Sequence, residues 1–363
     1  MVAPCRMTAD QHPGTAMPNL PKRTRGTPRG AVQELSAADG TLHVLSAGDL
    51  ADIDITPADV LSAIECAYRT LAAGRSDNPR RLTVRPRDGH SVSSAMLGRD
   101  GFHQVVAVRT TYKHGLDGPR AQQRAYTALT LYDDATGRPM VMMDCARIGA
   151  LRTPAVTALL ARECARPGAR SALLIGTGTQ GRGTLPFLLT TLPDLDRLML
   201  YGTHPAGIAA VREALRARAP DRDLEVVGDL RAAAGQADVV VAAAGARSRA
   251  AVEGEWLRPG TLSVLVGHGL APSALHRADR VVATSETQMR ATATDLADAE
   301  GRLPAVDTEF PPVLAGITVG RHSPEERVFA YNSSLVVADI PLGLRFARLA
   351  VARGLGTRVP LWR

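Results

Sequence analysis

The sequence predicts an α/β protein in which a doubly wound parallel sheet is inserted into a mixed α+β domain. Three observations carry this expectation: a glycine-punctuated turn after a short apolar strand, a regular alternation of strands and helices after that turn, and a run of strands before it with no long helices between them. The turn lies in Ala172–Gly183, ALLIGTGTQGRG. Ala172–Ile175 reads as a buried strand, and Gly176, Gly178 and Gly181 follow at G-x-G-x-x-G spacing before a helical run expected from Thr184. In a Rossmann turn the first glycine permits the bend, the second lets the backbone approach a pyrophosphate, and the third lets the helix close on the strand. Gly176, Thr177, Gly178, Thr179, Gln180 and Gly181 are therefore the candidate cofactor-binding residues. The alternative is an ordinary strand-turn-helix, but further apolar strands at Arg197–Tyr201 and Ala237–Ala244 recur as a nucleotide-binding unit requires.

Taken in order, residues 1–40 mix Pro, Gly, Thr and Arg without periodicity and read as a mobile arm, with order beginning near Leu42. Leu42–Leu45 is a strand; Asp52–Ala73 is a helix opened by Thr56-Pro57, with apolar residues at Val60, Leu61, Ile64, Ala67 and Leu71. Strands follow at 80–87, Val92–Leu97, Gln104–Tyr112, Ala125–Tyr132 and Pro139–Asp144, the turn at Asp133–Gly137 separating the last two. Successive strands of this kind make an antiparallel or mixed sheet, and the Ala/Leu-rich helix Ile148–Arg166 leads out of it.

Strands at Leu173–Ile175, Arg197–Tyr201, Leu224–Val227, Val239–Ala243, Leu262–Val266 and Arg280–Ala283 then alternate with helices, which means a parallel sheet. From about Ala305 the pattern stops, so Val313–Ala315, Val328–Tyr331 and the helix Ala338–Arg353 are expected to return to the first domain. The expected division is an arm at 1–40, a substrate-binding and dimerisation domain at 41–150 plus 306–363, and the dinucleotide-binding domain at 151–305.

Composition excludes several classes. The charge of +7 and pI near 9.7 arise from scattered arginines, and the only lysines are Lys22 and Lys113, which argues against nucleic acid as partner. Four cysteines without a C-x-x-C pair fit a reduced, cytoplasmic protein. No apolar run is long enough for a membrane span, and no cluster suggests a metal. After Tyr201 come Gly202, Thr203 and His204, with no carboxylate to bind ribose hydroxyls. That favours NADP(H), with Thr203, His204 or Arg212 near a 2′-phosphate, and leaves NAD(H) open.

The chain resembles the ornithine cyclodeaminase/mu-crystallin family over roughly Leu42 to its C-terminus. The resemblance rests on Arg80-Arg81 after Pro79, Tyr112-Lys113, ARIGALRTPAVTAL at Ala146–Leu159, the glycine turn, ADVVVAAAG at Ala237–Gly245, EWLRPGT at Glu255–Thr261, and Ala338-Asp339. It implies a homodimeric enzyme with NADP(H) or NAD(H) acting on an amino-acid-derived or imine substrate. Arg81 would grip the substrate carboxylate through its planar fork, with a surface role or a swap with Arg80 as alternatives. Lys113 would exchange a proton near the reacting carbon; Arg152 would reach substrate or cofactor, and Thr153 a cofactor phosphate or else a helix N-cap. Arg124 matches an R-A-S-A segment of the siderophore-pathway members as a substrate-binding residue, or is a surface arginine. Where the family places an aspartate this chain has Gly269, and no carboxylate lies between Thr261 and Asp279. The adjacent His268 would take over proton transfer. An oxidoreductase acting on a C–N bond is the resulting expectation; an ammonia-releasing cyclodeaminase and an NADPH-binding protein with little catalysis are the alternatives.

Overall fold

The computed structural model describes Val32, Leu35 and residues 40–118 and 122–362. Most of the expected arm lies outside these residues, but Val32 and Leu35 are helical and buried, so order begins before Leu42. Strand β1, Thr41–Leu45, runs into helix α1, Ala47–Ala51, whose entry is fixed by a reciprocal cap between Ser46 and Asp49. Helix α2, Pro57–Ala72, is capped by Thr56, whose hydroxyl accepts the Asp59 N–H; residues 52–56 of the expected helix are the C-cap of α1 and the link to α2. Strands β2 (Leu82–Val84), β3 (Ser91–Asp100), β4 (Val105–His114), β5 (Arg124–Asp133) and β6 (Pro139–Asp144) complete most of a seven-stranded sheet. Its order is β15-β1-β6-β5-β4-β3-β2, with β15 at Thr357–Pro360; β2 to β6 pair antiparallel, and β1 and β6 pair parallel.

Period-two alternation divides the faces of this sheet. Val105 and Ala107 on β4 and Leu129 and Leu131 on β5 are fully buried on the inner face. The outer face is uncovered: Leu82, Val84, Leu97, Tyr112, Tyr126 and Met142 are all exposed.

Helix α3, Ala146–Cys164, is buried along most of its length because it packs on both α2 and the second sheet. That sheet contains β7 (Ser171–Ile175), β8 (Arg197–Tyr201), β9 (Glu225–Val226), β10 (Val239–Ala242), β11 (Leu262–Leu265), β12 (Arg280–Ala283), β13 (Thr308–Glu309) and β14 (Val328–Tyr331). All its pairs are parallel, in the order β13-β12-β14-β11-β10-β7-β8-β9. The helices between them are α4 (Thr179–Thr191), α5 (Pro205–Arg216), α6 (Leu230–Gln236), α7 (Pro272–His276), α8 (Glu286–Thr292) and α9 (Phe310–Leu314). From β7 the chain winds outward one way through β8 and β9, then returns to β10 on the other side, so the switch point lies between β7 and β10.

Two expectations need correction. Val328–Tyr331 does not return to the first sheet: β14 sits between β11 and β12, so the second sheet extends well past residue 305. A four-residue apolar strand carries no label for its sheet, and the loop before it hid the crossover. Val313–Ala315 lies in α9 and its cap, and α9 packs on α2, with the Phe310 ring against Tyr68, as the expected return to the first domain requires. Helix α4 begins at Thr179, because extended Gly178 is its N-cap. Only the last helix, α10 at Asp339–Ala352, and β15 return to the first sheet.

Candidate functional site

The glycine turn is built as its spacing requires. Gly176 has φ 107°, and a Cβ there would lie 2.7 Å from Ala243 and Ala244 backbone atoms. A Cβ on Gly181 would stand 2.2 Å from the Gly176 carbonyl oxygen, so α4 closes directly on the turn. Above Gly178 there is open space to 4 Å, and no side chain caps α4. The N–H groups of Thr179, Gln180 and Gly181 therefore face a cradle fit for phosphate at the switch point. The Thr177 side chain packs against Gly202 and Gly207, leaving its backbone for a ligand. Thr203 and His204 lead into α5, at the carboxyl end of β8, while Arg212 lies two turns further on and lines a groove of ≈ 850 Å³ against Val226. The residues present fit a dinucleotide.

Opposite the turn, the inner face of the first sheet carries a cluster of cations. Arg109 continues the inward series Val105, Ala107 and stands across from Met96 and Leu129. Its Nη1 donates to Asp339 Oδ2 at 2.8 Å, and Arg152 Nε donates to Oδ1 at 2.8 Å. Asp339 is fully buried where α10 begins, and Arg152 is 2% exposed on α3. A Cβ on Gly149 would lie 3.1 Å from Arg109 Nη2, so this glycine of α3 makes room for the guanidinium. Burial alone would raise the Asp339 carboxyl, but Arg109 and Arg152 hold it below its ordinary value. Burial likewise works against the charge on Arg109, and the Asp339 carboxylate overrides it and raises the pKa.

Arg81 is the third cation. It precedes Leu82, whose side chain faces outward across from Ala95, so Arg81 turns inward toward the Met96–Arg109 row. Its pKa is lowered by burial and by the charges of Arg152 and Arg109, against the opposing influence of Tyr331. Arg80 beside it is exposed, which answers the question of which arginine joins the cluster. Two guanidiniums thus share the buried Asp339 carboxylate, and Arg81 stands near enough to both to feel their charge.

The chain leaving β14 closes the site. Tyr331 donates or accepts at Thr292 Oγ1, 2.9 Å away. Buried Asn332 donates through Nδ2 to the Thr153 carbonyl at 3.2 Å and to Thr157 Oγ1 at 3.1 Å. Ser334 then takes φ 62°, a left-handed conformation that a non-glycine residue holds only where its surroundings impose it. Gln180 bonds the Gly149 carbonyl, and Gln288 bonds the Pro79 carbonyl. Around this one locality the buried atoms Arg81 Nε, Arg109 Nε, Gln180 Oε1, Gln288 Oε1 and Asn332 Oδ1 lack protein partners. Buried polar atoms are rarely left so, and these are five of the ten such side-chain atoms among the described residues.

The other expected residues divide. Lys113 lies on the same face of β4 as Arg109, one step beyond the hydroxyl row Ser94–Thr111–Thr127, and is exposed. Arg124 opens β5 opposite His114, on the alternate face, so the structure does not bring it to the cluster; period two separates it from Lys113. Thr153 is inside α3 rather than at its N-terminus, so it is no N-cap, and its hydroxyl accepts from Arg152 Nη1 at 2.7 Å. His268 is tied by backbone bonds to Ala244 at the end of β10, and its Nδ1 lies 3.4 Å from Asp295 Oδ2. Sequence reasoning missed Arg109, and it left Asp339 without a role. An arginine in an inward position of an alternating strand, and a carboxylate at the head of an apolar helix, were the available signals. Among the described residues no group of His, Cys, Asp or Glu is placed to hold a metal.

A glycine turn at a sheet's switch point, facing an anion-gripping cluster, defines a doubly wound dinucleotide-binding protein. The chain belongs to the ornithine cyclodeaminase/mu-crystallin family, whose sequence model matches residues 44–342. It is similar to the nodulation efficiency protein NfeD of Rhizobium meliloti, 25% identical over 326 residues that cover 87% of this chain and 97% of that one. It is also similar to Delta(1)-pyrroline-2-carboxylate reductase of Paracoccus denitrificans, 33% identical over 140 residues, 39% of this chain and 43% of that one. Among solved structures, Delta(1)-pyrroline-2-carboxylate reductase of Thermococcus litoralis, in complex with NADH and L-proline, shares the fold. Its TM-score is 0.74 at 21% identity, over 87% of this chain and 100% of that one.

Proposed function

We propose that the protein is an NAD(P)-dependent oxidoreductase acting on the C–N bond of a small imine or amino acid that carries a carboxylate. The observation that carries this reading is the three-guanidinium cluster with one buried carboxylate, set beside the glycine turn. Such a cluster is short of negative charge, and a carboxylate supplies it through paired, charge-assisted bonds. The names of the similar reductases, and the NADH and L-proline in one of them, support the same chemistry.

The nicotinamide, when bound, supplies or accepts the hydride. Gly176, Gly178 and the N–H groups of Thr179, Gln180 and Gly181 would hold its pyrophosphate. Arg81 and Arg152 hold the substrate carboxylate, and Arg109 shares the Asp339 counter-charge. Lys113 and His268 are the catalytic groups that move the proton on or off the substrate nitrogen. Holding carbon and cofactor in one orientation supplies much of the rate.

The neutral end of β8, with Thr203 and His204, supports NADP(H) as the preferred cofactor. The uncovered outer face of the first sheet, with Leu82, Val84, Leu97, Tyr112, Tyr126 and Met142, supports a homodimer through that face. The buried cysteines among the described residues, none in a disulfide, suit a reducing cytoplasm, and no helix among those residues is long and apolar enough to cross a membrane. The test is the near-ultraviolet absorbance of NADPH or NADH offered with cyclic imines, or with 2-oxo acids plus amines. Oxidation of one cofactor that is lost in Lys113→Ala, with cofactor binding retained, is expected. Ammonia release from a diamino acid without net change in the cofactor would overturn the reading in favour of cyclodeamination.

A further inference from the structure

We infer that Asn332 determines specificity: its Oδ1 is a fixed acceptor for an N–H of the substrate nitrogen and selects an amine or iminium over the matching ketone or ether. This role deepens the functional reading above and rests on it.

Asn332 sits at the ligand-binding end of the second sheet. It is the first residue past β14, and its N–H donates to the Leu265 carbonyl at the end of β11, 2.9 Å away. The two strands pair in parallel inside the sheet, and ligands of such sheets bind beyond the carboxyl ends of the strands. The backbone is pinned on the other side as well, because the Ser333 N–H donates to Thr284 Oγ1 at 2.8 Å.

The hydrogen bonds leave the amide one orientation. Nδ2 donates to the Thr153 carbonyl at 3.2 Å and to Thr157 Oγ1 at 3.1 Å. A carbonyl can only accept, and the Thr157 hydroxyl gives its one proton to that same carbonyl, 3.0 Å away. Turning the amide over would set Oδ1 against two acceptors. Both hydrogens of Nδ2 are therefore committed to α3, and Oδ1, on the other limb of the planar group, is turned away from those partners. Asn332 is 4% exposed, and Oδ1 finds no partner among the described residues. A buried acceptor left in this way is costly until a donor reaches it.

The surroundings decide which donor. Thr153 follows Arg152, whose Nη1 donates to its hydroxyl at 2.7 Å, so the amide and the carboxylate grip are fastened to the same stretch of α3. In an α-amino or α-imino acid the nitrogen and the carboxylate leave one carbon, which calls for an N–H acceptor beside the guanidinium that holds the carboxylate. Arg81, Arg109 and Arg152 make this neighbourhood positive, and Asp339 is already engaged by the latter two. A neutral carbonyl supplies the acceptor that a nitrogen-bound hydrogen needs there. A ketone or ether oxygen would bring a second acceptor against it, which a site built on a fixed hydrogen bond rejects. The amide exchanges no proton, so Asn332 orients and selects while proton transfer stays with other groups.

The test is calorimetric binding of two ligands that differ at one ring atom, L-proline and (S)-tetrahydrofuran-2-carboxylate, with and without NADP+ or NAD+. The wild type is expected to prefer L-proline by roughly 10- to 150-fold, the worth of a hydrogen bond to a charged group. Asn332→Leu, of similar shape, should bring the ratio to about 1 or below and leave the affinity for the ether nearly unchanged. Asn332→Ser, whose hydroxyl can still donate to the Thr153 carbonyl, should do the same and serves if the buried leucine prevents folding. Equal binding of the two ligands by the wild type, or the wild-type ratio retained in a folded variant, overturns the inference and leaves the functional reading standing. A retained ratio with weakened cofactor binding overturns it in favour of the nicotinamide carboxamide as the donor. Binding of neither ligand, alone or with cofactor, overturns the functional reading and the inference with it.

Discussion

Two aspartates in this molecule are each held by two arginines, and they do opposite work. Asp238, at the amino end of β10, accepts from Arg166 and Arg258, from the N–H groups of Arg170 and Ser171, and from the Ser171 hydroxyl. The carboxylate is buried, and both guanidiniums reach water, 36% and 40% exposed. Asp339, at the head of α10, meets guanidiniums that are 13% and 2% exposed, with a third close by and orphaned nitrogens left over. In the first the carboxylate is saturated with donors; in the second Arg81 Nε and Arg109 Nε have no protein partner. The first is a fastening, and we propose that the second is a site.

The largest expected effect comes from removing the shared carboxylate. Asp339→Ala leaves Arg109 and Arg152 buried without a counter-charge and should cost about 3–5 kcal/mol of folding free energy, read by denaturant unfolding. If the variant unfolds like the wild type, the two aspartates are not different in the way described.

Removing a cation should do the reverse. Arg81→Met takes positive charge out of an over-cationic cluster, so thermal stability is expected to hold or rise. Loss of its charge-assisted bonds, about 1.5–3 kcal/mol, should lower kcat/KM by roughly 10- to 150-fold. A drop in stability with unchanged kcat/KM would place Arg81 with the fastenings.

Asp238→Asn should cost about 1–3 kcal/mol and leave kcat/KM unchanged. Burial would raise the Asp238 carboxyl, but the Arg170 N–H and Arg166 outweigh it and lower the pKa from 3.8 to about 2. A depressed carboxylate stabilises the fold above its unfolded pKa, and the benefit fades as pH falls from about 4 toward about 2. The gap between wild type and Asp238→Asn should therefore narrow over that acid range in pH-resolved melts.

The smallest effect tests the proposed site directly. Acetate or a 2-oxo acid should raise the melting temperature of the cofactor-free wild type as mass action requires, and an amine without a carboxylate should not. The same shift surviving in Arg81→Met would disconnect the anion from the cluster.

Much of this was legible in the sequence. The strands β3 to β6 follow from alternation and from the Asp133–Gly137 turn, and the glycine turn from its spacing after an apolar strand. Arg81 and Arg152 were legible as candidates, whereas Arg109 was passed over inside an apolar strand because its inward position shows only once the register is known. Asp339 was seen as a conspicuous residue without a use, since its partners come from positions 109 and 152, far away along the chain. Thr153 shows the limit from the other side: its place in the middle of α3, and the bond its hydroxyl accepts from the adjacent Arg152, show only in the structure.

The late arrival of β14 also affects how the protein can be built or cut. Because this strand is threaded between β11 and β12, a chain ending before Val328 leaves β12 and β13 detached from the remainder of their sheet. The cofactor-binding half is thus no interchangeable cassette: grafting residues 151–305 onto another scaffold would omit a central strand. During synthesis, the sheet must wait for nearly the whole polypeptide to leave the ribosome before it can close.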